Sequence, residues 1–372
     1  MLPRRMFLAM PALLTACAGS PDPSGEADQE MRALLESYAR LNPRPIEGLQ
    51  AAEARRQPGM KDAVAARLRE QGRTPASREM AHVQDLVIPT PMGGSLAARL
   101  YVPEGAQVQG RNPLVVYYHG GGWVIADLDA YDASARALAA ESGAVVLSAH
   151  YRQGPEARFP AAHEDAISAW RWAAANAPRL GGDARRMAVV GESAGGNLAL
   201  ATAIAARDQG LTRPIAIGAI YPVAGVDTET SSYARYAGAR PLNKAAMQWF
   251  LRNYTRGGRD LQDPRLNLYG RANLAGLPRT LILNAQIDPL ADDGARLEEA
   301  MTRAGSPVRR IVHPGVTHEF FGAGAVLSRA QIAQREMGEE LRAAFAAVPE
   351  PVVVSEPVTI RRPARGQRVS SR

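Results

Sequence analysis

The 372-residue sequence has a single cysteine, Cys17. One thiol cannot form an intramolecular disulfide and cannot supply a metal site built from several cysteines. Long apolar runs are also missing, and a membrane-spanning helix needs about 20 predominantly apolar residues. The sequence contains no internal repeats. These absences exclude a disulfide scaffold, a repeat protein and an integral membrane protein with spanning helices.

Excess charge is scarce in the body of the chain. The formal net charge is +7, which alone suggests nucleic-acid binding. However, Arg4 and Arg5 lie near the start, and residues 349–372 carry five arginines against two glutamates. Removing these excesses of 2 and 3 leaves about +2 for the body, too little to follow a phosphate backbone. We expect no nucleic-acid partner, and we interpret 349–372 as a disordered basic tail.

The first 28 residues predict a targeting segment followed by a tether. Arg4 and Arg5 precede the apolar run 7–14, and small residues lead to Cys17. This arrangement resembles a bacterial lipoprotein signal, which implies removal of residues 1–16 and acylation of Cys17. The start also resembles a twin-arginine motif, so the Sec and twin-arginine routes both stay open. We expect residues 17–28 to tether the protein to a membrane of the bacterial cell envelope through this lipid anchor.

The order of apolar segments predicts the fold. Eight segments are expected to be strands: 83–88, 96–102, 114–118, 144–149, 187–190, 215–220, 280–284 and 308–312. Helical patterns separate most of the later ones, which is typical of a mostly parallel sheet with helices on both faces. We assign 81–348 to this α/β catalytic domain. The strand–helix alternation lapses at about 224–276, and this insertion is expected to form a helical cap together with the N-terminal segment 29–80.

A serine flanked by glycines follows the strand predicted at 187–190. In the run Gly191-Glu192-Ser193-Ala194-Gly195, a glycine stands two residues to either side of Ser193. A tight strand-to-helix turn brings those two positions into collision, so glycine is needed at both and the serine hydroxyl projects. The pattern therefore predicts a nucleophile elbow. A glycine-rich turn without chemistry is the alternative for this segment taken alone.

An activated serine needs a base and a carboxylate that orients the base. Asp288 follows a predicted strand directly, and His318 lies in the loop after the last strand. Since the carboxyl ends of parallel strands share one edge of the sheet, we expect both to lie near Ser193. Two competing carboxylates precede the helical run from Ala295 and are interpreted as its N-terminal caps: Asp292 and Asp293. Structural roles are the favoured interpretation of two other histidines: His163 and His313.

A second glycine-rich segment supplies candidate donors for an oxyanion. Gly120, Gly121 and Gly122 follow the strand predicted at 114–118 and precede Trp123. Three glycines allow backbone amides to face a ligand without obstruction by side chains. A phosphate-binding loop is a poor interpretation because no Lys-Ser/Thr pair follows. A flexible glycine turn is the alternative.

Six motifs in this order resemble the hormone-sensitive-lipase-like (family IV) branch of bacterial esterases, over roughly residues 80–345. They are 119–123, 151–156, 159–161, 191–197, 288–290 and 318–320. The resemblance implies an eight-stranded α/β-hydrolase fold with a helical cap. It also implies the site roles: Ser193 as nucleophile, His318 as general base and then acid, Asp288 as orienting carboxylate, and the amides of Gly121, Gly122 and Ala194 as oxyanion hole.

The sequence departs from the family pattern at two places. Gln153-Gly154 replaces the usual Leu-Ala of the Tyr-Arg-x-x-Pro-Glu motif, and Glu192 replaces the commoner Asp or Thr beside the serine. Neither departure touches the predicted triad. Three further motif residues are interpreted as scaffold or pocket wall: Arg152, Glu156 and Trp123.

These features together predict a carboxylic-ester hydrolase that uses no metal or cofactor and acts on small-molecule esters with short to medium acyl chains. Two alternatives stay open. One is a ligand-binding module on the same fold without catalysis, although such modules generally lose a triad member. The other is an amide or carbamate hydrolase, whose chemistry the same triad permits.

Overall fold

The computed structural model describes residues 23–91, 93–107 and 111–348. The predicted leader 1–16, Cys17 and the basic tail 349–372 lie outside the described residues. Part of the segment interpreted as a tether is folded, because Pro23–Glu26 forms a 3₁₀ turn and Ala27 is buried. The carboxylate of Asp28 accepts a 2.8 Å hydrogen bond from the Met31 amide and so caps the first α-helix. Within the described residues, no helix has the length and apolar character needed to cross a bilayer.

Eight strands form one sheet in the spatial order β1-β2-β4-β3-β5-β6-β7-β8. Their bounds are β1 His82–Pro89, β2 Ser95–Val102, β3 Asn112–Tyr118, β4 Val145–Ala149, β5 Gly182–Glu192, β6 Ala216–Ile220, β7 Arg279–Ile287 and β8 Val308–Thr317. β2 runs antiparallel to β1 and β4, whereas every pair from β4 to β8 is parallel. The predicted α/β fold and its eight strands are confirmed.

Helices cover the sheet on both faces. They are α1 Gln29–Arg40, α2 Ala51–Ala54, α3 Met60–Glu70, α4 Asp132–Ser142, α5 Ala161–Asn176, α6 Ala194–Asp208, α7 Ser231–Arg235, α8 Lys244–Tyr254, α9 Gly258–Leu261, α10 Leu268–Arg271, α11 Ala291–Arg303 and α12 Ser328–Ala346. Alternate residues of β3 enter opposite cores: Leu114 and Val116 belong to the core that includes residues of α5, α6 and α11, whereas Val115 and Tyr117 belong to the core that includes residues of α4 and α12. Because successive side chains of a strand point to opposite faces of the sheet, one core forms on each face.

The N-terminal segment and the insertion meet beside the sheet. Four short helices, α7 to α10, lie within the predicted insertion 224–276. The indole of Trp249 on α8 donates a 3.1 Å hydrogen bond to the carbonyl of Leu49. In contrast, α1 and α3 pack on each other and bury Met31, Leu34 and Ala63 in the α4–α12 core. The part of 29–80 next to α2 thus contacts the insertion through Leu49.

Candidate active site

Ser193 occupies the turn between β5 and α6 in a strained conformation. Its φ is 56° and its ψ is −118°, values that non-glycine residues rarely adopt. A methyl group on Gly191 would overlap the Gly195 carbonyl, and one on Gly195 would overlap the Tyr118 carbonyl. The collision predicted within the turn is therefore present for position 191, whereas glycine is needed at 195 because α6 begins against the end of β3.

The hydroxyl of Ser193, the ring of His318 and the carboxylate of Asp288 form a hydrogen-bonded chain. His318 Nε2 lies 2.9 Å from Ser193 Oγ, and His318 Nδ1 lies 2.7 Å from Asp288 Oδ2. Asp288 follows β7 and His318 follows β8, so the carboxyl ends of neighbouring parallel strands bring them together. The other carboxylate oxygen of Asp288 accepts a 2.9 Å bond from the Leu290 amide. Asp288 is thus fixed on both sides of its carboxylate.

The surroundings of His318 favour its protonated form. Burial alone lowers the pKa of this ring, but the charge of Asp288 and its hydrogen bond outweigh burial. Two further carboxylates, the half-buried Glu319 and the buried Glu192, act in the same direction. The pKa of His318 is therefore raised above its ordinary value of 6.5. Such a base is well placed to take a proton from a serine hydroxyl and hold it.

Glu192, which is buried, and Glu319, which is half-buried, are acids whose surroundings the sequence did not predict. The carboxylate of Glu192 accepts hydrogen bonds from the hydroxyls of Tyr117, at 2.6 Å, and Tyr221. Glu319 accepts a 3.1 Å bond from the Tyr131 hydroxyl. Burial raises the pKa of both acids. The one available signal in the sequence was their position, since each directly adjoins a predicted triad residue.

The glycine-rich segment lies against the elbow. A Cβ on Gly120 would be 3.2 Å from the carbonyl of Glu192. Gly121 has a φ of 95° and Gly122 a φ of 58°, and a methyl group on Gly122 would enter the ring of Phe250. Ala194 is the first residue of α6. No group in the described part of the chain accepts a hydrogen bond from the backbone amides of the three predicted donors: Gly121, Gly122 and Ala194.

The interpretation of Asp292 and Asp293 as helix caps is wrong. The residue before α11 is Leu290, and no side chain caps this helix. Asp293 instead accepts bonds of 2.8 and 2.9 Å from the amides of Ala224 and Gly225, and Asp292 accepts from the Ser232 amide. The chain leaving β6 brings these free amides to α11, so both acids hold the insertion. Burial raises the pKa of Asp293 to about 7.

The two remaining candidate histidines have other partners. The His163 ring lies 2.9 Å from both the Tyr254 hydroxyl and Asn197 Oδ1, and His313 Nε2 lies 3.2 Å from Glu336. Burial lowers the pKa of each ring to about 4. In the described structure neither ring has a hydrogen bond to Ser193 or Asp288, which agrees with the structural roles expected for them.

The residues interpreted as scaffold or pocket wall have well-defined contacts. Arg152 forms a 2.8 Å ion pair with buried Asp165, and Glu156 pairs with Arg55 at 2.6 Å. Trp123 is fully buried and stacks on Tyr254 with ring centroids 4.9 Å apart. Trp123 therefore packs inside the protein instead of lining an open surface.

An eight-stranded sheet with a serine at a strand–helix elbow, and an acid and a histidine after the last two strands, defines an α/β hydrolase. A model of the α/β-hydrolase fold matches residues 115–322. The chain belongs to this family and, within it, to the hormone-sensitive-lipase-like (family IV) esterases, as the motifs predicted. It is a hydrolase of the carboxylesterase class.

Similar proteins in several organisms carry esterase names. Ethyl acetate hydrolase of Pseudomonas putida is 37% identical over 77% of this chain and 88% of its own. Esterase LipI of Mycobacterium tuberculosis is 41% identical over 72% of this chain and 84% of its own. The structure of an ester hydrolase from the Lake Arreo metagenome has a TM-score of 0.77 at 34% identity and covers 86% of this chain and 99% of its own.

Proposed function

We propose that the protein hydrolyses small carboxylic esters through an acyl-enzyme formed on Ser193. The observation that carries this proposal is the hydrogen-bonded chain from Asp288 through His318 to Ser193 Oγ, with distances of 2.7 and 2.9 Å. A serine is a useful nucleophile only if its proton can leave at neutral pH, and His318 Nε2 is placed to accept that proton.

The reaction proceeds in two halves. His318 Nε2 takes the Ser193 proton as Oγ attacks the ester carbonyl, and Asp288 stabilises the imidazolium. The amides of Gly121, Gly122 and Ala194 donate to the tetrahedral oxyanion. The imidazolium then protonates the departing alcohol and leaves an acyl group on Oγ. Water, deprotonated by His318, attacks this acyl group, and the carboxylic acid departs as Ser193 regains its proton.

Two observations support short to medium acyl groups. Ser193 is only 5% exposed, and the Phe250 ring lies against Gly122, beside the position proposed for the ester carbonyl. Both leave little room around the reacting atoms. A relative of 37% identity is named for ethyl acetate, an ester with a two-carbon acyl group.

A fluorophosphonate probe tests the nucleophile. We expect the folded protein to lose ester turnover as one probe molecule becomes bound per chain, and mass spectrometry to locate it on the peptide that contains Ser193. Protein unfolded in urea should not react, because the serine is activated only beside His318. A short ester such as p-nitrophenyl acetate should slow the labelling. Turnover that persists after complete labelling, or labelling at another residue, would contradict the proposal.

The same experiment separates the alternatives. A ligand-binding module without catalysis would bind the ester but show neither turnover nor covalent labelling. An amide or carbamate hydrolase would be labelled at Ser193 but would prefer the amide or carbamate in a substrate panel that keeps the acyl group constant.

We also propose that Cys17 carries a lipid anchor that holds the protein in the bacterial cell envelope. The support is the sequence alone: paired arginines, an apolar run and small residues before the cysteine. Protein expressed in a bacterial host should partition into the detergent phase of a two-phase extraction, and Cys17→Ser should stay in the aqueous phase. Equal partitioning of the two proteins would contradict a lipid anchor on Cys17.

A further inference from the structure

The segment 120–126, here called the oxyanion loop, has a backbone that needs outside support. Besides Gly121 and Gly122, two residues with side chains lie in the left-handed region: Trp123 with a φ of 59° and Ala126 with a φ of 68°. Non-glycine residues persist in such conformations only when the surrounding structure holds them there. The groups that hold the carbonyls of this loop therefore decide where its amides point.

Two side chains from outside the loop hold three of its carbonyls. The Gln153 amide group donates to the carbonyls of Ile125 and Ala126 at 2.7 and 2.8 Å. Arg55 Nε donates to the Val124 carbonyl at 2.8 Å. The Gly154 amide donates a 2.9 Å backbone hydrogen bond to the carbonyl of Trp123, the residue between Gly122 and Val124. Four consecutive carbonyls thus have an external donor.

The contacts of Arg55 and Gly154 reach the Gly122 amide through a chain of peptide groups. The Gly121 carbonyl accepts bonds of 3.0 and 2.9 Å from the amides of Val124 and Ile125. In a planar trans peptide the carbonyl and the amide hydrogen point in opposite directions. Fixing the Gly121 carbonyl therefore aims the Gly122 amide away from the loop. The Ile125 amide belongs to the same peptide as the Val124 carbonyl, which Arg55 holds.

The charge of Arg55 adds to the geometry. Hydrogen bonds in series polarise one another, so a cation at one end strengthens the donor at the other. The series here runs from the Arg55 guanidinium through two peptide groups to the Gly122 amide. Arg55 is itself held by Glu156, which accepts bonds of 2.8 and 2.6 Å from its two terminal nitrogens. Its side chain is 28% exposed, so water screens the guanidinium only in part.

We propose that Arg55 and Gln153 are positioning residues for the oxyanion-hole amide of Gly122 and do not touch the substrate. Arg55 aims and polarises this amide, and Gln153 holds the backbone of the oxyanion loop in place. This inference rests on the proposed function of the loop. It gives the N-terminal segment a part in catalysis, since Arg55 follows α2. It also gives a role to Gln153, at which the chain departs from the family pattern.

The test compares turnover with binding of a transition-state analogue. The serine hydroxyl attacks the carbonyl of a trifluoromethyl ketone and forms a tetrahedral adduct with an oxyanion. The affinity of the ketone therefore measures how well the oxyanion hole stabilises that charge. Loss of a whole oxyanion donor costs about 10²–10³ in rate, and misdirecting one should cost less. For Gln153→Met and Arg55→Met we expect kcat to fall about 10- to 100-fold with KM within about twofold. The inhibition constant of the ketone should rise by the same factor, and Arg55→Lys should lie between.

A matched variant shows whether the loop contact itself matters. Gln331 donates a 2.7 Å bond to the Gly324 carbonyl, so Gln331→Met removes a similar contact far along the chain. This control should keep kcat within about threefold of wild type. If Gln153→Met does not fold in a urea titration, Gln153→Leu introduces the residue usual in the family.

The outcomes distinguish this inference from the proposed function. A wild-type protein that is not labelled at Ser193 would overturn the proposed function. Labelling at Ser193, together with unchanged kcat and ketone affinity in folded Gln153 and Arg55 variants, would overturn only this inference. A fall in kcat without weaker ketone binding would also overturn it, because the loss would then not arise at the oxyanion.

Discussion

Ser193→Ala is expected to lower kcat for p-nitrophenyl acetate by about 10⁵- to 10⁶-fold with little change in KM. The variant keeps the turn but lacks the oxygen that forms the acyl-enzyme, so only oxyanion stabilisation and binding can act on a water nucleophile. Steady-state release of p-nitrophenol measures the loss. Ser168→Ala is the control, since its hydroxyl donates to the Glu164 carbonyl within α5.

The same prediction includes non-additivity. Because Ser193 and His318 act as one unit in the proposed mechanism, Ser193→Ala combined with His318→Ala should be no slower than Ser193→Ala alone, within a few-fold. Additive losses in the double variant would mean that the two residues work independently. A single Ser193→Ala variant with a tenth of wild-type activity would exclude Ser193 as the nucleophile.

Asp288→Asn is expected to lower kcat about 10⁴-fold while the protein stays folded. The amide keeps the shape of the carboxylate but presents a hydrogen-bond donor to His318 Nδ1, so the ring adopts the wrong tautomer. Nε2 then carries the proton and cannot accept one from Ser193. Asp293→Asn is the matched control, because the Asn oxygen can still accept from the Ala224 and Gly225 amides that Asp293 holds. Its kcat should stay within a few-fold of wild type.

The pH profile supplies an independent readout for Asp288→Asn. The base must be neutral to work, so kcat/KM falls as pH drops through the pKa of His318. That pKa is raised above 6.5 in part by Asp288, so the acid limb of wild type should lie above pH 6.5. Without the carboxylate the pKa falls, and the residual activity of the variant should persist to lower pH. An acid limb that does not move would contradict the contact between Asp288 and His318.

The parts of this structure that could be predicted are those with a local signal. Residues 114–118 are apolar and wholly buried in β3, because a central parallel strand is covered on both faces. The collision between Gly191 and Gly195 follows from the covalent geometry of one tight turn. The positions of Asp288 and His318 required one further rule, that parallel strands end at a common edge.

The parts that could not be predicted depend on contacts between distant segments. Asp293 has the sequence position of a helix cap, and only the path of the chain after β6 shows that its partners are Ala224 and Gly225. Arg55 lies 69 residues from the carbonyl of Val124 that it holds. No periodicity in the sequence joins two such positions, since the pairing depends on how α2 meets the oxyanion loop.

The wide spacing of the triad along the chain has a consequence for synthesis. His318 is 125 residues beyond Ser193 and 30 beyond Asp288. A nascent chain that has emerged through β6 already carries the serine elbow but has neither the acid nor the base. Because β7 and β8 must join the sheet by long-range parallel pairing, which is slow, we expect hydrolysis by the proposed triad to begin only when almost the whole domain has folded. Recovery of esterase activity after refolding is therefore a measure of complete folding, whereas recovery of helical signal is not.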